Sequence, residues 1–262
     1  MPRSAYWTLA CALAVVSCSD EAGLMTANAE RAAATPTVTG SEVNAPDAGT
    51  GAAGQAGCAP HRPVLAPELS NARDLGGTVL ADGSVACGAF LRGPPLRLTD
   101  DGCARAEGLG IRTVLDLRAE EERLSTPDAS CIDARRVDAP LPIPYGLSAA
   151  DYLNDLHEIA SIALAFQTFG DDSAYPIYFH CTYGRDRTGV VGALLLLALG
   201  ASEAAVMEEY RLSEPNVGAY PDALAAVLDE VRQRGGAEAV LRELGISSAE
   251  LAVMRQRALA AD

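Results

Sequence analysis

Residues 180–189 read His-Cys-Thr-Tyr-Gly-Arg-Asp-Arg-Thr-Gly. The stretch holds a sulfur nucleophile, Cys181, and an arginine, Arg187, at the two ends of a C-x5-R loop. A short apolar run, 175–180, precedes it, and an oily helix-like run, 188–199, follows. A core strand and a core helix need no such charge to be joined, so the loop itself has a chemical use. A turn of this length can point successive backbone N–H groups inward and form an anion cradle. The N-terminus of the following helix adds partial positive charge. Arg187 adds a planar fork that can hold two phosphate oxygens. In such a field a cysteine thiol falls from a pKa of about 8.5 to roughly 3.5–7.5 and becomes a thiolate. A thiolate facing a cradled phosphate is a nucleophile for phosphoryl transfer. Gly184 and Gly189 let the backbone curl and pack closely.

C-x5-R alone is a weak signal. His180 before the cysteine, Gly184 and Asp186 inside, and Thr188-Gly189 after it make the signal specific. Together with "NARDLGG" (71–77), "LGIRTVLDLR" (109–118) and "LGISSAELAVMRQRAL" (244–259), the loop resembles the signature of cysteine-dependent protein tyrosine phosphatases. Within these it is most similar to the bacterial tyrosine/lipid phosphatase branch, and the similarity runs over about residues 65–260.

The resemblance implies a role for each matching residue. Cys181 attacks phosphorus, and Arg187 binds phosphate and steadies the transition state. Thr188 donates its hydroxyl to the Cys181 sulfur, and His180 positions the cysteine. Thr182, Tyr183, Gly184, Arg185 and Gly189 complete the substrate-binding loop. Asp186 is the implied general acid. Asp116 and Asp138, at strand ends, are its rivals. A separate Trp-Pro-Asp loop cannot supply the acid, because the only tryptophan is Trp7. Asn71, Arg73 and Asp74 match the branch's N-terminal motif and are expected to brace the loop. Two positions depart from the pattern. Arg185 stands where the branch carries lysine, and Tyr183 where a small residue is common.

The implied activity is phosphomonoester hydrolysis of phosphotyrosine, with phosphoserine/threonine or phosphoinositides as further substrates, through a phosphocysteine intermediate. The alternative is an inactive module that only recognises phosphate. An inactive form usually loses the cysteine, the arginine or the acid, and candidates for all three are present. No cofactor is implied. His61 and His157 are isolated and no His/Cys/Asp set has metal-ligand spacing, so no metal is expected.

The surrounding elements alternate. Asp82-Gly83 signals a hairpin between two strand-like runs in 78–93. A helix over 100–109 is capped by Thr99 and stopped by Gly110. β-Branched strands follow at 111–118 and 134–143. A helix is predicted over 151–170, then the strand 175–180. Helices are predicted at 188–199, 202–213, 221–234 and 247–260, with a short one at 237–244. The pattern predicts an α/β fold, a mainly parallel sheet flanked by helices, with the C-x5-R loop between a strand and a helix N-terminus.

The chain has 262 residues and a formal net charge of −15, and all 20 of its basic residues are arginine. That balance excludes non-specific nucleic-acid binding. Residues 1–18 read as an export signal: Arg3, a short apolar core, then "VVSC", which resembles a bacterial lipobox with lipid attachment at Cys18. Ser19 after it resembles the pattern that permits transfer to an outer membrane. The expected location is the cell envelope, lipid-anchored, outside the cytoplasm. Residues 19–57, small and polar, read as a flexible linker, and 58–262 as one domain, expected to be monomeric. Its partners would be a phosphorylated protein or phospholipid substrate and, through the anchor, a membrane.

An oxidising compartment favours paired cysteines, and Cys181 must stay free. Cys58, Cys87, Cys103 and Cys131 remain, with three connectivities open. At about 1.5 Å per helical residue and 3.3 Å per strand residue, the start of the helix 100–109 lies near the far end of the strand 111–117. The loop leaving that end carries Cys131. The expected bridges are therefore Cys103–Cys131 and Cys58–Cys87.

Overall fold

The structure, a computed structural model, describes residues 59–142 and 147–259. The expected signal segment, lipidated Cys18, the linker and Cys58 lie outside the described residues. These residues belong to one unit, Gly51–Asp262. In chain order the elements are β1 (Arg73–Asp74), β2 (Val79–Leu80), β3 (Gly83–Ser84), β4 (Phe90–Gly93), α1 (Asp100–Gly108), β5 (Thr113–Asp116), α2 (Glu120–Ser125) and β6 (Arg135–Asp138). Then come α3 (Ala149–His157), α4 (Ile159–Phe169), β7 (Ile177–His180), α5 (Asp186–Ala198), α6 (Glu203–Arg211), α7 (Glu214–Val217), α8 (Pro221–Gln233), α9 (Ala237–Glu243) and α10 (Ser248–Leu259).

The main sheet has five strands in the order β1-β4-β7-β5-β6. Only β1 is antiparallel to its neighbour; the other pairings are parallel. Strand residues alternate between two cores, as the two-residue period requires. Leu91, Val114 and Tyr178 face a smaller cluster containing Ala106 of α1. Phe90, Leu115, Ile177 and Phe179 face a larger one built on α3–α6 and α8–α10. The sheet is thus covered on both faces, as a parallel sheet must be. Helix α5 lies wholly inside the larger cluster, with twelve of its thirteen residues buried. It can therefore be apolar all round. No helix of the described residues is long and apolar enough to cross a membrane.

Parallel register aligns the strand ends. Gly93 pairs with His180, His180 with Asp116, and Asp116 with Asp138. These four residues form a row at the carboxyl edge of the sheet. The C-x5-R loop leaves from the central strand of that row, at the edge where open α/β sheets bind ligands.

Three local features differ from the pattern reading. The predicted helix 151–170 is two helices, because Glu158 leaves the helical region at φ −79°, ψ 76°. No Gly or Pro marks the break, and the apolar spacing runs through it; Ile159 is left exposed. Helix α2 has no predicted counterpart. It buries none of its residues, so it has no apolar stripe to read. Helix α7 is likewise short and without a buried residue. The Thr99 cap is as expected, its side chain accepting from the Gly102 amide.

Candidate active site

Strand β7 delivers His180, and α5 begins at Asp186, so the loop spans Cys181–Arg185 between them. Two buried side chains fix its backbone. Asn71 Nδ2 donates to the carbonyls of Tyr183 (2.9 Å) and Gly184 (3.2 Å). Arg92, on β4, donates from NH2 to the Gly184 carbonyl (2.9 Å). A planar peptide points its N–H opposite to its C=O. Holding these carbonyls outward turns the N–H groups of Arg185 and its neighbour inward. Gly184 adopts φ +64°, and a Cβ there would come within 2.3 Å of the Gly93 backbone. No side chain fits at that position.

The braces are themselves braced. Arg73 NH1 donates to Asn71 Oδ1 (2.7 Å), and Arg73 Nε to Glu209 Oε1 (2.7 Å). Arg92 NH1 donates to Glu209 Oε2 (2.6 Å). Burial alone would raise the Glu209 pKa, but Arg73 and Arg92 outweigh it and hold the carboxyl below its usual range. Burial lowers Arg92 to about 10, which leaves it cationic at neutral pH. Asn71 and Arg73 thus reach the loop as expected, one directly and one through its neighbour. Asp74 does not. It accepts from the amides of Gly76 and Gly88 and pairs with Arg62, so it stabilises the turn after β1.

Cys181 is buried and is the free cysteine among the described residues. Arg187 reaches it from the first turn of α5, with its guanidinium gripped end-on by Glu122: NH1 to Oε2 at 2.6 Å, NH2 to Oε1 at 2.7 Å. NH2 also donates to Thr182 Oγ1 (3.1 Å), and Thr182 in turn bonds Glu122. Arg187 Nε is buried without a partner. Both NH2 hydrogens are engaged, by Glu122 and Thr182, so Nε is the guanidinium donor left without a partner. Burial would raise the Glu122 pKa, but Arg187 and Thr182 overcome it and hold the carboxyl at about 2. Glu122 is a functional residue the sequence reading missed. The signal available was three consecutive glutamates, 120–122, two residues past Arg118 at the end of "LDLR".

The other predicted residues divide. His180 Nδ1 lies 3.3 Å from the Cys181 carbonyl. Its Nε2 lies 3.3 Å from Asp128 and 3.6 Å from Asp116 and makes no aligned hydrogen bond. Asp116, Asp128 and His180 bring three metal-type ligand atoms within 4.8 Å of one another. Arg118 binds both carboxylates there and already supplies the positive charge. Thr188 Oγ1 is buried without a hydrogen-bond partner, so the donation expected toward Cys181 is not formed. Gly189 lies against the Tyr210 ring, which a Cβ would meet at 2.8 Å.

Arg185, expected to bind substrate, is engaged within the protein. Its guanidinium bonds Asp186 and the Val217 carbonyl, and lies between the rings of Tyr220 (4.6 Å) and Tyr183 (5.5 Å). Asp186, expected as the acid, accepts from Arg185 Nε (2.7 Å), Arg185 NH2 (3.0 Å) and Tyr152 OH (2.6 Å). Both its oxygens are engaged. Tyr183 is 54% exposed. With Thr182, Pro94, Pro95, Ser70 and Arg97 it lines a groove of about 490 Å³ beside the loop. Asp138 is at the sheet margin, paired with Arg123 at 3.4 Å.

Cys103 and Cys131 are bridged, with Cα atoms 5.9 Å apart, as expected. Cys87 is also disulfide-bonded. Its expected partner, Cys58, lies outside the described residues.

The comparisons with known proteins bear on the same stretch. A tyrosine-protein phosphatase of Nostoc commune is 25% identical over 221 residues, covering 64% of this chain and 74% of its own. A Cupriavidus necator protein named for the same activity is 29% identical over 164 residues, covering 54% of this chain and 59% of its own. Among solved structures, TpbA of P. aeruginosa is 18% identical, covering 71% of this chain and 97% of its own, with a TM-score of 0.41. The core catalytic domain of the PP-IP phosphatase SIW14 of S. cerevisiae is 16% identical, covering 58% and 90%, with a TM-score of 0.38. The family described as the tyrosine phosphatase family matches residues 65–260, from the segment before β1 through α10, and on that match the chain belongs to it.

Proposed function

We propose that this protein hydrolyses phosphotyrosine esters through a phosphocysteine formed on Cys181. The observation that carries the reading is the convergence of Cys181 and Arg187 on one loop. Outward-held carbonyls shape that loop, and Glu122 aims the arginine. The Cys181 sulfur attacks phosphorus in line with the departing oxygen. The Arg187 guanidinium, through its unpartnered Nε, and the inward amides hold the non-bridging oxygens and stabilise the charge that builds on them. Glu122 fixes the guanidinium before substrate arrives, so little reorganisation is needed. Water then attacks the phosphocysteine and releases inorganic phosphate. The exposed Tyr183 ring at the groove rim offers a flat apolar wall to an aryl ester, which favours phosphotyrosine over smaller phosphorylated side chains.

The reading extends to location. The "VVSC" sequence supports lipid attachment at Cys18 and an envelope-anchored enzyme acting outside the cytoplasm.

Purified protein should hydrolyse p-nitrophenyl phosphate without added metal, and Cys181→Ser should abolish turnover while a phosphate analogue still binds. Turnover by Cys181→Ser near the wild-type rate would refute the nucleophile. A panel of phosphotyrosine peptides, phosphoserine/threonine peptides and phosphoinositides tests the substrate, and faster turnover of a phosphoinositide overturns the phosphotyrosine choice. For location, Cys18→Ala should move the protein from the membrane fraction to the soluble one; no movement sinks the anchor.

A further inference from the structure

The three carboxyls expected as proton donors are all committed. Asp186 accepts three hydrogen bonds. Asp116 is gripped through both oxygens by Arg118. Asp138 is 52% exposed and pairs with Arg123. A fourth carboxyl is not committed. Asp155, on α3, is 1% exposed, and both of its oxygens are buried without a hydrogen-bond partner. Such a group is uncommon, because an unpaired buried carboxylate is strongly disfavoured.

Its position ties it to the loop. Asp155 lies one turn along α3 from Tyr152, and residues at i and i+3 share a helix face. Tyr152 OH bonds Asp186 Oδ1 at 2.6 Å, so that face looks onto the first turn of α5. The largest charge effect on Asp155 comes from Arg187, followed by Asp186 of the same turn and Asp151 of its own helix. Helix α8 also packs on α3, but no charged group of α8 acts on Asp155 among the described residues. Arg187 Nε, like the Asp155 oxygens, is buried and unpartnered. The donor with unmet capacity and the acceptor with unmet capacity thus belong to neighbouring groups at the phosphate-binding arginine. Burial does not set Asp155 apart from that machinery, since Cys181 is also 1% exposed and Arg187 only 3%.

The cheapest state for such a carboxyl is the protonated one. Burial pushes its pKa up; Arg187 counters this, Asp186 and Asp151 add to it, and the result is about 8. At neutral pH the group holds a proton.

Resting on the phosphatase reading above, we infer that Asp155 is the catalytic acid that protonates the leaving oxygen. As the Cys181 S–P bond forms and the P–O ester bond breaks, the Asp155 O–H proton passes to the departing oxygen, which leaves as a phenol. Asp155 becomes a carboxylate beside Arg187. In the second step it takes a proton from the attacking water. A water O–P bond forms, the S–P bond breaks, and phosphate and the cysteine thiolate are released with Asp155 again protonated.

The test uses an isosteric change. Asparagine keeps the shape and neutrality of a protonated carboxyl but has no proton to give. A purely structural Asp155 would therefore survive Asp155→Asn. We expect Asp155→Asn to lose on the order of 10²–10⁴-fold in kcat/KM on phenyl phosphate, the range for general-acid catalysis, and little on 2,4-dinitrophenyl phosphate, whose leaving group needs no proton. Asp186→Asn should change both esters equally. In the wild type, kcat should fall on the alkaline side near the Asp155 pKa, and Asp155→Asn should lack that limb. The wild-type limb does not depend on how the variant folds. Wild-type rates in Asp155→Asn on both esters, or equal losses on both with the alkaline limb retained, would overturn the assignment. A wild-type protein that hydrolyses neither ester sinks the phosphatase reading and this assignment with it, so the two failures are told apart.

Discussion

At the scale of single residues, the site is governed by which carboxyls are paired and which are not. Glu122 and Asp155 mark the extremes. Glu122 is held at about 2 by Arg187 and Thr182, against burial; Asp155 is driven up to about 8 by burial. The consequences for stability have opposite signs. Glu122 ionises more readily folded than unfolded, so it contributes stability above its unfolded pKa of 4.5, and this is lost as pH falls toward about 2. Asp155 ionises less readily folded than unfolded. Between its unfolded pKa of 3.8 and its folded one near 8, the folded state binds the extra proton. Stability is therefore highest in acid and falls as pH rises through that window. We expect the unfolding free energy from urea titrations to drop between mildly acidic and mildly alkaline pH, by an amount on the order of a few kcal/mol, and Asp155→Asn to flatten the slope. An unchanged slope in the variant would show that Asp155 is ionised in the folded state.

At the scale of elements, the strand–loop–helix unit was legible because each part carries a local signal. The β7 run is apolar, Gly184 permits the turn, and α5 restarts as an unbroken oily run. The Cys103–Cys131 bridge was legible from element lengths alone. What was not legible shares one cause: its signal is tertiary. Helix α2 buries nothing, so Glu122 stands in a segment with no periodicity, and only the fold brings it to Arg187. Asp155 sits beside the buried Tyr152 and Leu156 on α3, and a pattern reader sees it as one of several polar residues on a helix. Its lack of partners is visible only once α5 and α8 are packed around it. The setting of Asp186 was not legible for a related reason: its neighbour Arg185, expected to bind substrate, turns back and pairs with it. The loop's dependence on Gly184 gives a direct prediction. Gly184→Ala forces a side chain into φ +64° against the Gly93 backbone. It should abolish detectable turnover and cost about 1–3 kcal/mol in stability, measured by thermal melting. An active Gly184→Ala protein would show that the loop can relax away from β4.

At the scale of the molecule, all 20 Lys/Arg positions are arginine against a net charge of −15, and four of the buried ones, Arg73, Arg92, Arg185 and Arg187, serve the loop, either inside it or through its supports. The Cys103–Cys131 bridge closes a separation of 28 residues. Loop-closure entropy puts its worth at about 3–4 kcal/mol. The double variant Cys103→Ser/Cys131→Ser should melt several degrees lower, with the activity per folded molecule retained, since neither cysteine bonds a residue of the C-x5-R loop; an unshifted melting temperature would mean the denatured chain is already compact. The same bridging has a chemical consequence. Each described cysteine other than Cys181 is already bonded. When an oxidant converts the Cys181 sulfur to a sulfenic acid, none of them is a free thiol able to condense with it and trap it as a reducible disulfide. Many thiol-based catalysts use such a resolving partner as a fuse. Among the described residues, then, rescue of an oxidised Cys181 falls to a thiol from outside them, and what is a built-in switch elsewhere has no built-in counterpart here.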